Sequence, residues 1–220
     1  MFLSTSGCRC APPCVILKPK LISTFLLNRG ALEMDETRAS IKRSGCLLLV
    51  SLLCGCAAGG STTGGDVMTL SLKSPAFLDE GNISQKHTCD GADLSPALNW
   101  NDPPAGTQSF SLIMDDPDAP GGTWVHWVLF NIPKQARALP EGVPKDPQLK
   151  DGSRHGRNDF KVLGYGGPCP PRGPVHRYYF KLYALDGDVD LAPGASKADL
   201  EKAMKGHILA QGQLMGRYRR

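Results

Sequence analysis

The most apolar run of this 220-residue chain, Cys46–Cys54, is too short to cross a bilayer as a helix, which needs about 20 residues. The glycines follow no triplet and no internal repeat is visible, which excludes collagen-like and solenoid architectures. A GxxxxGK[ST] phosphate loop, an HExxH zinc helix and a GxSxG elbow are all missing, as is a CxxC pair beyond position 56. Several large enzyme classes therefore drop out. Excess charge is missing as well, once its location is considered. The formal net charge is +4, but seven of the 25 Lys/Arg and three of the 21 Asp/Glu precede position 57, leaving 18 of each after it. A neutral main region gives no support to nucleic-acid binding. A hydrophobic fraction of 41% is that of a globular chain and argues against disorder.

Cysteine is concentrated at the front. Cys8, Cys10, Cys14, Cys46, Cys54 and Cys56 precede only Cys89 and Cys169. Residues 34–55 read as a secretion signal: Arg38, Lys42 and Arg43 form a positive flank, a short apolar stretch follows, and small residues come next. Leu53-Cys54-Gly55-Cys56 resembles a bacterial lipobox, with Cys54 where alanine or serine is usual, so Cys56 is the expected lipidation site. An ordinary cleaved signal or a core segment are the alternatives. Residues 1–33 fit no part of such a signal and are expected to be an upstream extension, with Met34 as the initiator. Their Cys8/Cys10/Cys14 group has loose spacing and no histidine, a poor match to a metal site. Residues 56–66 form a Gly/Ser/Thr-rich tether.

From residue 67 onward the pattern is mainly that of strands. Met68, Leu70 and Leu72 alternate, as do Phe110, Leu112 and Met114. The run 124–132 places Trp124, His126, Val128 and Phe130 on one face and Val125, Trp127 and Leu129 on the other; apolar on both, it predicts a central strand. The run 175–185 sets His176, Tyr178, Phe180 and Leu182 together. A single helical pattern follows Ser196 as N-cap, through Leu200, Ala203, Met204, His207 and Ile208. The expected fold is mainly β over 67–220, a β-sandwich with a few short helices and a C-terminal helix.

Three groups of residues carry candidate chemistry. The first is Asp115-Asp116-Pro117-Asp118-Ala119-Pro120. Crowded carboxylates need donors, a cation or a raised pKa, although Asp and Pro also suit an ordinary turn. The second is His126, either a satisfied core histidine or a residue returned to those aspartates by a hairpin. The third is Gly164–Pro171, followed by His176 and Tyr178 on one sheet face. Glycines allow backbone N–H groups to approach an anion closely, and the alternative is a rigid loop over an interior His and Tyr.

Taken in order, DPDAP, WVHWV, GGPCPP and HRYYFKLYALD resemble the phosphatidylethanolamine-binding protein family, in particular its bacterial Raf-kinase-inhibitor-like branch. Cys89-Asp90-Gly91, Ser95–Trp100 and Gly206–Ala210 resemble that branch too, so the likeness runs from about Leu70 to Tyr218. The resemblance implies a β-sandwich with a small anion pocket at one end. Its lining would be Asp116, Asp118, His126, the loop with Gly167, Pro168, Cys169 and Pro170, and then His176 and Tyr178. Phosphate-type headgroups are the ligands the family implies, the histidines and Tyr178 donating to phosphate oxygens. Cys89 and Cys169 are left with two readings, a disulfide or two buried thiols.

The function expected is that of an exported, lipid-anchored, non-enzymatic binding protein facing the periplasm or cell exterior. It would take a small phosphorylated or carboxylated ligand, or modulate a partner protein, with no cofactor, no metal and no nucleic acid. One alternative is a hydrolase built on Asp116, Asp118, His126 and His176. Another is a protein-binding module resembling a protease inhibitor.

Overall fold

In the computed structural model the described residues are 67–220. The extension at 1–33, the signal at 34–55, Cys56 and the rest of the tether to 66 lie outside them. Among the described residues no helix is long and apolar enough to cross a membrane.

The architecture follows from one strand that is apolar on both faces. Strand β4 (Ser109–Asp116) is buried at every position. It lies between β5 (Trp124–Pro133) and β8 (His176–Leu185), with β9 (Ile208–Tyr218) antiparallel to β8. Short strands β1 (Met68–Thr69) and β7 (Arg154–His155) complete the six-stranded order β1-β9-β8-β4-β5-β7. A second sheet is small: β2 (Leu72–Lys73), β3 (Leu98–Trp100) and β6 (Ala138–Leu139), in the order β2-β3-β6.

Side chains of alternating parity separate two cores. On the inner face Leu112, Met114, Trp127, Phe180 and Leu182 pack with Leu72, Leu98, Trp100 and Leu139 of the small sheet. On the outer face Ile113, Val128 and Phe130 pack with Leu200 and Met204 of helix α1 (Lys197–Met204). The chain is thus a mainly β, two-sheet sandwich with a helix late in the sequence. One 3₁₀ turn, Gln85–His87, precedes β3.

Helix α1 starts at a capping box, in which Ser196 accepts from the Asp199 N–H and the Asp199 carboxylate accepts from the Ser196 N–H. It ends at Met204, short of the periodic pattern that continues to His207 and Ile208. Gly206 takes φ +87°, the chain turns, and Ile208 pairs with Leu185. The eleven residues from Ile208 are a strand, because β8 offers a full edge to pair with.

A second departure positions the candidate site. Met114 pairs with Trp127 and Asp115 with Val125, so His126 is an extra residue bulged out of β5. The bulge changes the parity of the strand end. Val125 joins Val128 and Phe130 on the outer face, whereas His126 turns inward and packs edge-on against Tyr178, ring centroids 5.2 Å apart. Strict alternation had grouped His126 with Val128 and Phe130.

Candidate functional site

A cavity of about 200 Å³ opens at the end of the large sheet. Asp116, at the last position of β4, His126 in the bulge and His176, at the first position of β8, supply its polar lining. Ala119, Pro120, Cys169, Pro170 and Pro171 form walls, and Trp124 and Phe160 form an apolar rim. Those two aromatics meet edge-on at 5.5 Å and are 38% and 41% exposed, so the mouth is lined with accessible aromatic surface.

Both imidazoles are held by one nitrogen. His126 Nδ1–H donates to the Gly166 carbonyl at 2.7 Å. The reverse contact pairs Gly166 N–H with the His126 carbonyl at 2.9 Å, and Asn158 Nδ2 adds a second donor to that oxygen at 3.3 Å. The bulge thus leaves no unpaired carbonyl at His126. Burial lowers the His126 pKa, opposed by the Gly166 carbonyl and the Asp116 charge. The ring is therefore neutral near pH 7, with its Nε2 lone pair free. His176 Nδ1 donates to Asp116 Oδ2 at 2.7 Å, and Asp118 N–H donates to the other carboxylate oxygen at 2.8 Å. Asp116 thus orients the His176 ring in the cavity lining.

Tyr178 lies beneath this floor rather than in the cavity wall. Its hydroxyl is buried and near Asp116, yet outside hydrogen-bond geometry, so it has no partner among the described residues. Burial first, and the Asp116 charge second, hold its pKa far above the usual phenol value, and it remains a protonated donor.

The structure separates the other candidates. Asp118 does not line the cavity: its carboxylate faces away and accepts from Arg177 N–H, Nε and Nη2 at 2.7–2.9 Å. Those bonds, chiefly the side-chain ones, lower its pKa. Gly166 and Gly167 are not anion donors. Gly166 N–H is spent on His126, and Gly167 N–H donates to Asp93 Oδ1 at 2.7 Å. Their lack of a side chain serves close packing instead: a Cβ at Gly167 would sit 2.4 Å from the His87 carbonyl oxygen. Pro168 accepts from Cys89 N–H through its carbonyl at 3.1 Å. Cys169 and Pro170 reach the wall, and Cys169 is disulfide-bonded to Cys89, with Cα atoms 5.4 Å apart across a sequence separation of 80.

Phe160, Asn158, Asp159 and Asp93 escaped the sequence reading. Asp159 accepts from Val125 N–H at 2.8 Å beside the bulge, and Asp93 anchors the loop from 74 residues away. No local signal distinguishes such residues from surface loop. Among the described residues no group of three or more His, Cys, Asp or Glu is arranged to hold a metal ion.

Residues 73–219 match the family model for phosphatidylethanolamine-binding protein. The chain belongs to the phosphatidylethanolamine-binding protein family. A UPF0098 protein of Methanothermobacter thermautotrophicus is 54% identical over 151 residues, covering 69% of this chain and 99% of the relative. Another from Aquifex aeolicus is 50% identical over 161 residues, covering 72% and 92%. Among solved structures, a phosphatidylethanolamine-binding protein homolog of Chlamydia trachomatis superposes with TM-score 0.63 at 38% identity, covering 69% of this chain and 98% of that one. E. coli YbcL, described as a new member of the mammalian family, gives TM-score 0.65 at 32% identity over the same shares. These family relatives are not named as enzymes.

Proposed function

We propose that this family member is an exported binding protein, anchored by a lipid at Cys56, whose cavity takes a phosphate-type or carboxylate group and acts through binding, with modulation of a partner protein as its output. The observation that carries the reading is the pair of imidazoles fixed by Nδ1, each with its Nε2 edge left for a ligand. In the proposed complex the Nε2–H of His176 donates and neutral His126 accepts. A phosphomonoester that retains one proton matches this set: one oxygen accepts from His176 and the P–OH donates to His126. Because the bound monoester retains one proton and its second pKa is about 6, binding takes up a proton near neutral pH. The Trp124/Phe160 rim favours an apolar substituent on the phosphate.

Calorimetric titration with inorganic phosphate and with phenyl phosphate tests this. Saturable binding is expected for both, tighter for phenyl phosphate, tightening from pH 7.5 to 6 and lost in His176→Ala. No saturable binding of either, or of acetate, across that range would overturn it. The His176–Asp116 pair is also the geometry of a base and its orienting carboxylate, which keeps a hydrolase as the second reading. Turnover of phosphate or carboxylate esters that disappears in His176→Ala would replace binding as the function. Metabolic labelling with a palmitate analogue tests the anchor, and label is expected at Cys56.

A further inference from the structure

We propose that the Cys89–Cys169 bond is exchangeable and that Cys89 is a site of S-thiolation by a low-molecular-weight thiol, a reaction that frees Cys169 as a thiolate on the cavity wall. The two sulfurs are placed unequally. Cys89 is exposed, whereas Cys169 is half-buried and lines the cavity. An incoming thiolate therefore meets Cys89 first, and exposed disulfides are the exchangeable ones. The leaving side is prepared as well: Arg220 Nη1 lies 4.0 Å from Cys169 Sγ, and a guanidinium at that position stabilises a departing thiolate. Asp90, next to Cys89, would repel an anionic thiol, but its carboxylate is engaged by Tyr218 OH at 2.7 Å and by Arg220.

The attacking thiolate forms a bond to Cys89 Sγ, the Cys89–Cys169 bond breaks, and its electron pair leaves on Cys169 Sγ. One disulfide is exchanged for another, charge is conserved, and no oxidant is consumed. Attack by Cys169 on the mixed disulfide reverses the step. The loop does not depend on the bond alone. Tyr165 OH donates to the His87 carbonyl at 2.6 Å, Gly167 N–H to Asp93 and Cys89 N–H to the Pro168 carbonyl, so the two segments stay together after exchange. The consequence for ligand rests on the anion reading above: a thiolate in the wall opposes an anion in the cavity.

The full chain, incubated in a glutathione redox buffer and quenched by alkylation, is examined by intact mass and peptide mapping, with near-ultraviolet circular dichroism alongside. The expected result is glutathione on Cys89 and the alkyl group on Cys169 while the dichroism stays native. Arg220→Gln should slow exchange about threefold, the effect of roughly one pKa unit on the leaving thiol, and Arg220→Lys should restore most of the rate. Glutathione on Cys169, loss of native dichroism before any adduct, or doubly alkylated protein with no glutathionyl intermediate would each overturn the proposal. Titration of inorganic phosphate into the bridged and thiolated forms separates the two claims. Weaker binding to the thiolated form supports both, whereas thiolation of Cys89 with no phosphate binding to either form retires the anion reading and leaves the modification site standing.

Discussion

Asp115 and Asp116 are neighbours at the end of β4, 1% and 3% exposed, and the pleat sends them to opposite faces of the same sheet. On the outer face Asp115 is saturated by cations. Lys181 Nζ reaches both of its oxygens at 2.9 Å, and Lys197 Nζ from the start of α1 lies 2.5 Å away. On the inner face Asp116 holds one backbone N–H and one imidazole, and that imidazole keeps a free edge in a cavity. Two chemically identical groups of equal burial thus serve different ends. A carboxylate whose partners are all internal fastens β4 to β8 and α1; one whose partner faces space orients an imidazole in the cavity lining.

Substitution at the two positions should break that symmetry. Asp115→Asn removes the common partner of two lysines and is expected to cost about 1.5–3 kcal/mol of unfolding free energy, the range for hydrogen bonds to charged groups. Phosphate binding by the folded protein should survive. Asp116→Asn should do the reverse, changing denaturant midpoints less and weakening phosphate by about tenfold, the scale of one lost hydrogen bond to the carboxylate that orients His176. Urea unfolding and calorimetric titration of both variants check the contrast, and equal losses of stability and binding in each would dissolve it.

A smaller effect separates the faces by pH. Burial lowers the pKa of His126 at the cavity and of His155 behind it below the ordinary value of 6.5. The unfolded chain therefore binds protons at a higher pH than the folded one, and stability falls as pH drops below about 6.5, at up to about 1.4 kcal/mol per pH unit for each histidine. His126→Asn should flatten that slope without changing stability at pH 8 by the same amount; an unchanged slope would show that His126 protonates freely in the folded state. Smallest of the three, Lys197→Met leaves Lys181 on Asp115 and should lose about half of what Asp115→Asn loses. Chemical denaturation of the pair of variants measures that ratio.

The long strands were legible because apolar alternation is local. The runs around Phe110–Met114 and Tyr178–Leu182 fall where the pleat requires. Strand β9 was not legible, since Ala210, Gly212, Leu214 and Gly216 carry little strand preference, and the open edge of β8 decides the matter. Gly212 and Gly216 are there because Leu70 and Ile83 press on the strand; a Cβ would come within 2.4 and 2.5 Å of them. Of the candidate site, Asp116, His126, Cys169, Pro170 and His176 meet at one cavity. Asp118 turned instead to Arg177, and Gly167 N–H to Asp93, because each found a partner distant in sequence.

Residue types, strand parity and the order of motifs are properties of short stretches, and by themselves they determined a mainly β sandwich of this family with histidines and aspartates at one end. Which aspartate faces the cavity follows from that parity. The tertiary structure alone decided that His126 turns inward, through a bulge whose backbone is satisfied by a loop 40 residues later. It decided in the same way that Gly166 and Gly167 pack rather than donate to an anion. Hydrogen-bond partners across folded segments belong to the whole chain, and no local pattern encodes them.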